Sequence, residues 1–194
     1  MTETNLHRGV AEYGKVCALR GEHVNALRHY REAMSIAVRQ QIPAVVIRHY
    51  MECALESLEQ MGAFDEVLAY CDRAIEHYRV HPPENALTHV DLATIHQRRG
   101  IVLLRRGEND EAARALEVAW VTAEAAGAGL PLAKTLLGWI RSRLTITAQR
   151  LSAEQVRHRY CSVRPETVRP AVAVPLPGHA GAIPAFIVNT EAET

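Results

Sequence analysis

The stretch GEHVNALRHYREA, residues 21–33, decides how the rest of the chain is read. Gly21 is followed by Ala26, Tyr30 and Ala33, which places small or apolar residues 5, 9 and 12 positions after the glycine. The pattern returns as Gly62, Val67, Cys71 and Ala74, and again as Gly107, Ala112, Leu116 and Ala119. Spacing inside the copies is constant, while the glycines stand 41 and then 45 residues apart. Self-similarity at such a period marks an array in which each unit buries its apolar face by stacking on the next. Each copy also lies where two helical stretches meet, so the glycine places the turn, reaching positive φ without a Cβ penalty.

Outward from these copies, apolar residues recur at helical spacing. Helices are predicted over about residues 6–19, 24–40, 43–61, 64–80, 84–104 and 108–127. Pro43 opens the third, and Asp65 and Glu66 put acids into the first turn of the fourth, where the helix dipole favours them. His81-Pro82-Pro83 stops the fourth. A seventh helix is predicted from Pro131 to about Gln149, as a cap over the last apolar face, with Leu132, Leu136, Leu137, Ile140 and Leu144 turned inward. A short eighth is predicted from Ser152 to about Tyr160 on the capping-box spacing of Ser152 and Gln155. Gly14 and Gly100, each seven residues before a turn glycine, sit in helix interiors. There glycine costs on the order of 1 kcal/mol against alanine, so close approach of a neighbouring helix is the expected reason for them.

These residues resemble the tetratricopeptide repeat, which stacks antiparallel helix pairs with a small residue in each first helix, a glycine near the turn and alanines in the second. Gly14, Gly21, Ala26, Tyr30 and Ala33 match in the first copy, and Gly100, Gly107, Ala112 and Ala119 in the third. The second copy departs, with Leu55 and Val67 where small residues are expected. The copies are longer than the 34 residues of the family, as in its extended members. The resemblance covers about residues 7–149. It implies an all-α fold: a right-handed superhelix of three helix pairs plus a capping helix. The expected organisation is a helical domain over 1–160 and a Pro-rich extended tail over 161–194.

Composition narrows the function classes. Lys+Arg and Asp+Glu are both 22, and aromatics are 5% of the chain. Neither an electrostatic bias toward nucleic acid or anionic membrane nor a base-stacking platform follows from that. No apolar run approaches the roughly 20 residues of a membrane span. The polar start Met1–Asn5 lacks the charged-then-apolar order of a signal peptide. Cys17, Cys53, Cys71 and Cys161 show no zinc or redox spacing and are read as reduced fillers. The expected setting is cytoplasmic, and the preference for Arg over Lys hints at a bacterial source.

Motifs for chemistry are weak. His77 and His81 stand at i, i+4 without the interposed Glu of a zinc hydrolase, and a polar helix end explains them better than a metal site. Glu52, Glu56 and Glu59 form an acidic stripe on helix three, read as solvated or facing a ligand. There is no P-loop, dinucleotide fingerprint or nucleophile elbow. The expectation is therefore a non-enzyme with no cofactor and no metal.

In the resembled architecture the first helix of each pair lines a concave groove. Counting back from the turn glycines assigns it Arg8 and Lys15 from helix one, and His49, Glu52, Glu56 and Glu59 from helix three. Ala11, Leu19, Thr94 and Ile101 fall on the same faces. Gln97 and Arg105 come from helix five, with Arg141 extending the surface from the cap. Lys15 without groove asparagines argues against the clamp by which some members hold chaperone C-termini. The tail supplies a second contact through Ile183, Phe186, Ile187 and Val188, by docking on a partner, by docking on the chain's own groove, or not at all. The expected function is a protein-binding adaptor or scaffold for a protein or peptide partner. A ligand-responsive regulatory sensor is the alternative, and an accessory subunit or maturation factor of an enzyme a more distant one. The partner's identity and any homo-oligomerisation stay open.

Overall fold

The structure is a computed structural model and describes residues 5–177; the tail contacts assigned to Ile183, Phe186, Ile187 and Val188 lie outside the described residues. Among the described residues the fold is all-helical, with eight α-helices and no strand. They are α1 (Leu6–Leu19), α2 (His23–Arg39), α3 (Ala44–Met61), α4 (Phe64–Val80), α5 (Ala86–Arg105), α6 (Asn109–Ala125), α7 (Pro131–Arg141) and α8 (Ala148–Arg157). No helix among them is long and apolar enough to cross a membrane.

Gly21, Gly62 and Gly107 all have positive φ, 75° to 80°, and a Cβ added at any of them would meet nothing within 4 Å. Conformation, not space, is what requires glycine at these turns. At Gly21 the Glu22 N–H donates to the Cys17 carbonyl and the Gly21 N–H to the Ala18 carbonyl, which is the Schellman closure. The same pair of bonds closes α3 at Gly62 and α5 at Gly107. It also closes α2, α7 and α8, where Gln41, Arg143 and Arg159 take φ of 51° to 52° without being glycine.

Two boundaries differ from the sequence expectation. The seventh helix ends at Arg141, not near Gln149, because the chain turns through left-handed Arg143. Leu144 therefore leaves the apolar side predicted for it and is 44% exposed. The eighth helix starts at Ala148, capped by the Thr147 side chain accepting from the Arg150 N–H at 3.2 Å, and Ser152 lies inside it. β-Branched Thr145-Ile146-Thr147 occupies the link between the two helices.

The chain folds as two compact units. The first comprises residues 5–63 and 161–177. Here α1, α2 and α3 pack together, with Val10, Ala11, Ala33, Ile36, Ala37 and Tyr50 in one buried cluster. A Cβ on Gly14 would come within 2.8 Å of the Tyr30 ring, so α1 and α2 touch closely at that point. The second unit is residues 64–160. Its core joins Ile101, Leu104, Leu116, Leu132, Leu136, Leu137 and Leu151 of α5, α6, α7 and α8. A Cβ on Gly100 would lie 2.6 Å from Leu116 Cγ, which repeats in α5 and α6 the contact seen at Gly14. Polar links tie α4 to α5: Tyr78 donates to Asp91 at 2.7 Å, and Arg99 pairs with Asp72 at 2.8 Å. The boundary between the units, at Ala63–Phe64, falls inside the second glycine copy. Its two departures, Leu55 and Val67, are both fully buried.

Candidate functional site

In the first unit, the inner face of α1 and α3 carries a stripe of ionisable residues and is crossed by residues 161–177, here called the strap. Four prolines within it, Pro165, Pro170, Pro175 and Pro177, exclude α-helix there. Two single 3₁₀ turns do form, Pro165–Thr167 and Pro170–Val172, each with its proline at the first position, where no N–H is needed.

An extended chain has backbone amides that need partners, and the helices supply them. Glu56 is 5% exposed; its Oε1 accepts from the Ser162 N–H at 2.6 Å and its Oε2 from the Val163 N–H at 3.0 Å. Glu12 is 6% exposed and accepts from the Arg169 N–H at 2.8 Å on Oε2 and from Lys15 Nζ at 2.9 Å on Oε1. Further along, the Val174 N–H donates to the Gly9 carbonyl at 2.9 Å. A Cβ at Gly9 would collide with Val174 at 2.6 Å, so that position too is shaped for the strap. The Leu176 N–H donates to His29 Nε2 at 3.1 Å, and Arg28 donates to the Pro177 carbonyl at 2.8 Å. Apolar anchors accompany the polar ones: Val168 is buried, and Leu176 packs on the Val10–Tyr50 cluster.

His29 is set in one protonation state by its partners. Its Nδ1 lies 2.6 Å from the Asn25 carbonyl, which can only accept, so Nδ1 carries the proton and Nε2 is left to accept from Leu176. Burial lowers its pKa, the Asn25 carbonyl opposes the shift, and the Arg28 charge adds to it. The Tyr13 ring lies over it, 4.8 Å between centroids.

The residues assigned to the groove are distributed as follows. Arg8 is exposed and Lys15 buried, and both line a cavity of about 640 Å³ beside the strap, as does His49. His49 Nε2 faces Cys53 Sγ at 3.9 Å, and its pKa is lowered by burial and then by Lys15. Glu52 pairs with Arg48 at 3.2 Å. Glu56 and Glu59 are 5% and 2% exposed, so of the stripe of Glu52, Glu56 and Glu59 only half-buried Glu52 reaches solvent. Ala11, placed on the groove face, is core.

In the second unit, the face of α5 meets α8. Ile101, expected in the groove, is fully buried in the cluster that includes Leu151. Arg105 donates to Gln155 Oε1 of α8 at 2.9 Å, and Arg98 lies over the Tyr160 ring at 5.4 Å. Gln97 is buried, with no hydrogen bond to its Oε1 among the described residues. Arg141 pairs with Glu117 of α6 at 2.9 Å.

Sequence reasoning named Glu56 and Lys15 but missed Glu12, Gly9 and His29. Glu12 lies three positions from Lys15, a pairing the sequence displays. Nothing in the sequence announces His29, since its partner is a backbone amide 147 residues away. His77 and His81 stack at 4.7 Å on the exposed end of α4, with His81 Nδ1 at 3.3 Å from the His77 carbonyl. No group of three or more His, Cys, Asp or Glu among the described residues is arranged to hold a metal ion. Cys17, Cys53 and Cys71 are buried free thiols and Cys161 a half-buried one. Burial, then Glu22, pushes the Cys17 thiol up to about 11. Comparison with known proteins finds no match: no family model, no curated protein and no solved structure is significantly similar to the chain.

Proposed function

We propose that this is a non-catalytic, tetratricopeptide-like helical-repeat protein that binds an extended peptide segment of a partner protein across α1 and α3. The recurrent glycine contacts, Gly14 on Tyr30 and Gly100 on Leu116, support the repeat reading. The observation that carries the peptide reading is the use made of Glu12 and Glu56. Buried carboxylates that accept from backbone N–H groups hold a chain by its main chain, a mode that tolerates many sequences. The strap is then an internal occupant of a peptide-binding face. A tethered occupant acts at an effective concentration on the order of millimolar, so a partner segment must bind well below that or await release of the strap. That dependence supports the second reading, a regulated binder whose availability is set by the strap.

The test uses the full chain with the strap loosened by Val168→Asp and Leu176→Asp. A fluorescent synthetic peptide of residues 161–177 is added and its anisotropy followed. Saturable binding to the loosened chain, weak binding to the unaltered chain, and loss of binding with Glu12→Gln plus Glu56→Gln are expected. A loosened chain that keeps its helicity and ignores the peptide would refute the reading.

A further inference from the structure

The cavity beside the strap has an electrostatic imbalance that the strap does not resolve. Of the charged side chains on its wall, Arg8, Lys15 and Arg169 are cationic and only Glu12 is acidic. Glu12 is already engaged on both oxygens, by Lys15 and by the Arg169 backbone N–H. Among the described residues no carboxylate pairs with Arg8 or with the Arg169 guanidinium; both side chains are exposed, so water is what an anionic ligand would replace there. Burial lowers the pKa of both imidazoles on the wall, His7 and His49, so they serve as neutral hydrogen-bonding groups near pH 7. The lining also includes the aliphatic Ile42, Val45 and Val46, and Val45 is 65% exposed. The space is an open groove of about 640 Å³, large enough for a small molecule that leaves one side in water.

We infer that this cavity binds a small organic anion with an apolar body, in chemical class a medium-chain carboxylate, its headgroup paired with Arg8 and Arg169 and its body along Ile42, Val45 and Val46. Arginine suits the role because its planar fork pairs with a carboxylate through two parallel hydrogen bonds. One half of the headgroup clamp is on the strap, so the site is complete only when the strap is docked. Ligand binding therefore stabilises the docked form by linkage. The site itself does not depend on the peptide-binding reading and can stand or fall apart from it.

The experiment is titration calorimetry on the full chain with octanoate, set against acetate (headgroup alone) and octanamide (body alone). Octanoate should saturate a single site and bind about tenfold or more tighter than either control. Arg8→Ala and Arg169→Ala should each weaken it about tenfold, while Arg31→Ala, an exposed position of α2 that does not line the cavity, leaves it unchanged. Both arginines are exposed and Arg169→Ala keeps the backbone N–H on Glu12, so the variants should fold; circular dichroism checks this. Octanoate should also slow hydrogen exchange at residues 162–176. Equal affinity in the Arg8→Ala/Arg169→Ala double variant, or no saturable binding up to about 10 mM, would overturn the assignment.

Discussion

The strap over α1 and α3 and the α8 helix against α5 are neighbours in the chain, yet different chemistry holds them. In the second unit Leu151 enters an apolar core with Ile101, Leu132 and Leu136, and the polar contact of Arg105 with Gln155 only flanks it. In the first unit the strap is held mainly by its backbone amides on Glu56, Glu12, the Gly9 carbonyl and His29, with Val168 and Leu176 as its few apolar anchors. Burial of apolar surface is cooperative with the whole core and indifferent to pH. Amides on ionisable acceptors form a local array, each bond contributing on the order of 1–3 kcal/mol and sensitive to the acceptor's protonation. A segment held in the second way can come off without unfolding its unit, which is what a replaceable occupant requires.

The largest expected effect tests the apolar side. Leu151→Ala should cost about 2–4 kcal/mol in thermal or denaturant unfolding, since it empties a fully buried site. It should lower exchange protection across α5–α8. If it instead loosened only α8, the two segments would be alike and the contrast would be lost. Next, Gly14→Ala and Gly100→Ala probe what the units share. Each adds a Cβ into contacts of 2.6–2.8 Å, and each should destabilise by about 1–3 kcal/mol despite alanine's better helix propensity. A stabilised variant in either unit would refute close helix approach there.

Glu56→Ala leaves the Ser162 and Val163 N–H groups without an acceptor. It should raise their exchange by a factor corresponding to about 1–3 kcal/mol while α5–α8 protection stays as it was. Glu56→Gln, which keeps one acceptor oxygen, should fall between. Acid tests the same feature. The folded pKa of His29 is lowered, so the docked strap favours neutral imidazole and loses stability as pH falls below the unfolded value of about 6.5 toward the folded one. Protonated Nε2 would face the Leu176 N–H with a second donor. Proteolysis of the strap should accelerate as pH falls below about 6.5, and His29→Leu should flatten the profile by releasing Leu176 at every pH. An unchanged slope in that variant would assign the acid response elsewhere. The smallest effect is on the helix ends: Gln41→Gly and Arg143→Gly should stabilise their units by about 0.5–1 kcal/mol, because each residue now holds a left-handed φ.

Helix count, the turn at each repeated glycine and most of the buried positions were legible in the sequence; Leu144, placed on the inward side of the seventh helix, is an exception. These depend on spacing within one segment, and Gly21, Gly62 and Gly107 behave as their positions predict. The end of α7 was not legible, because Arg143 takes a conformation that glycine usually marks. The candidate site was half legible: Glu56 and Lys15 fall on the face that repeat counting assigns, but as groups that hold the chain's own strap or the carboxylate that does. What only the tertiary structure decided is where the amides after Cys161 find acceptors. Glu12 and Arg169 are 157 positions apart, and a backbone amide carries no side-chain signature by which sequence could announce its partner. Local periodicity specifies which faces are buried; the long-range pairing that fills the α1–α3 face follows only once the helices have been brought together.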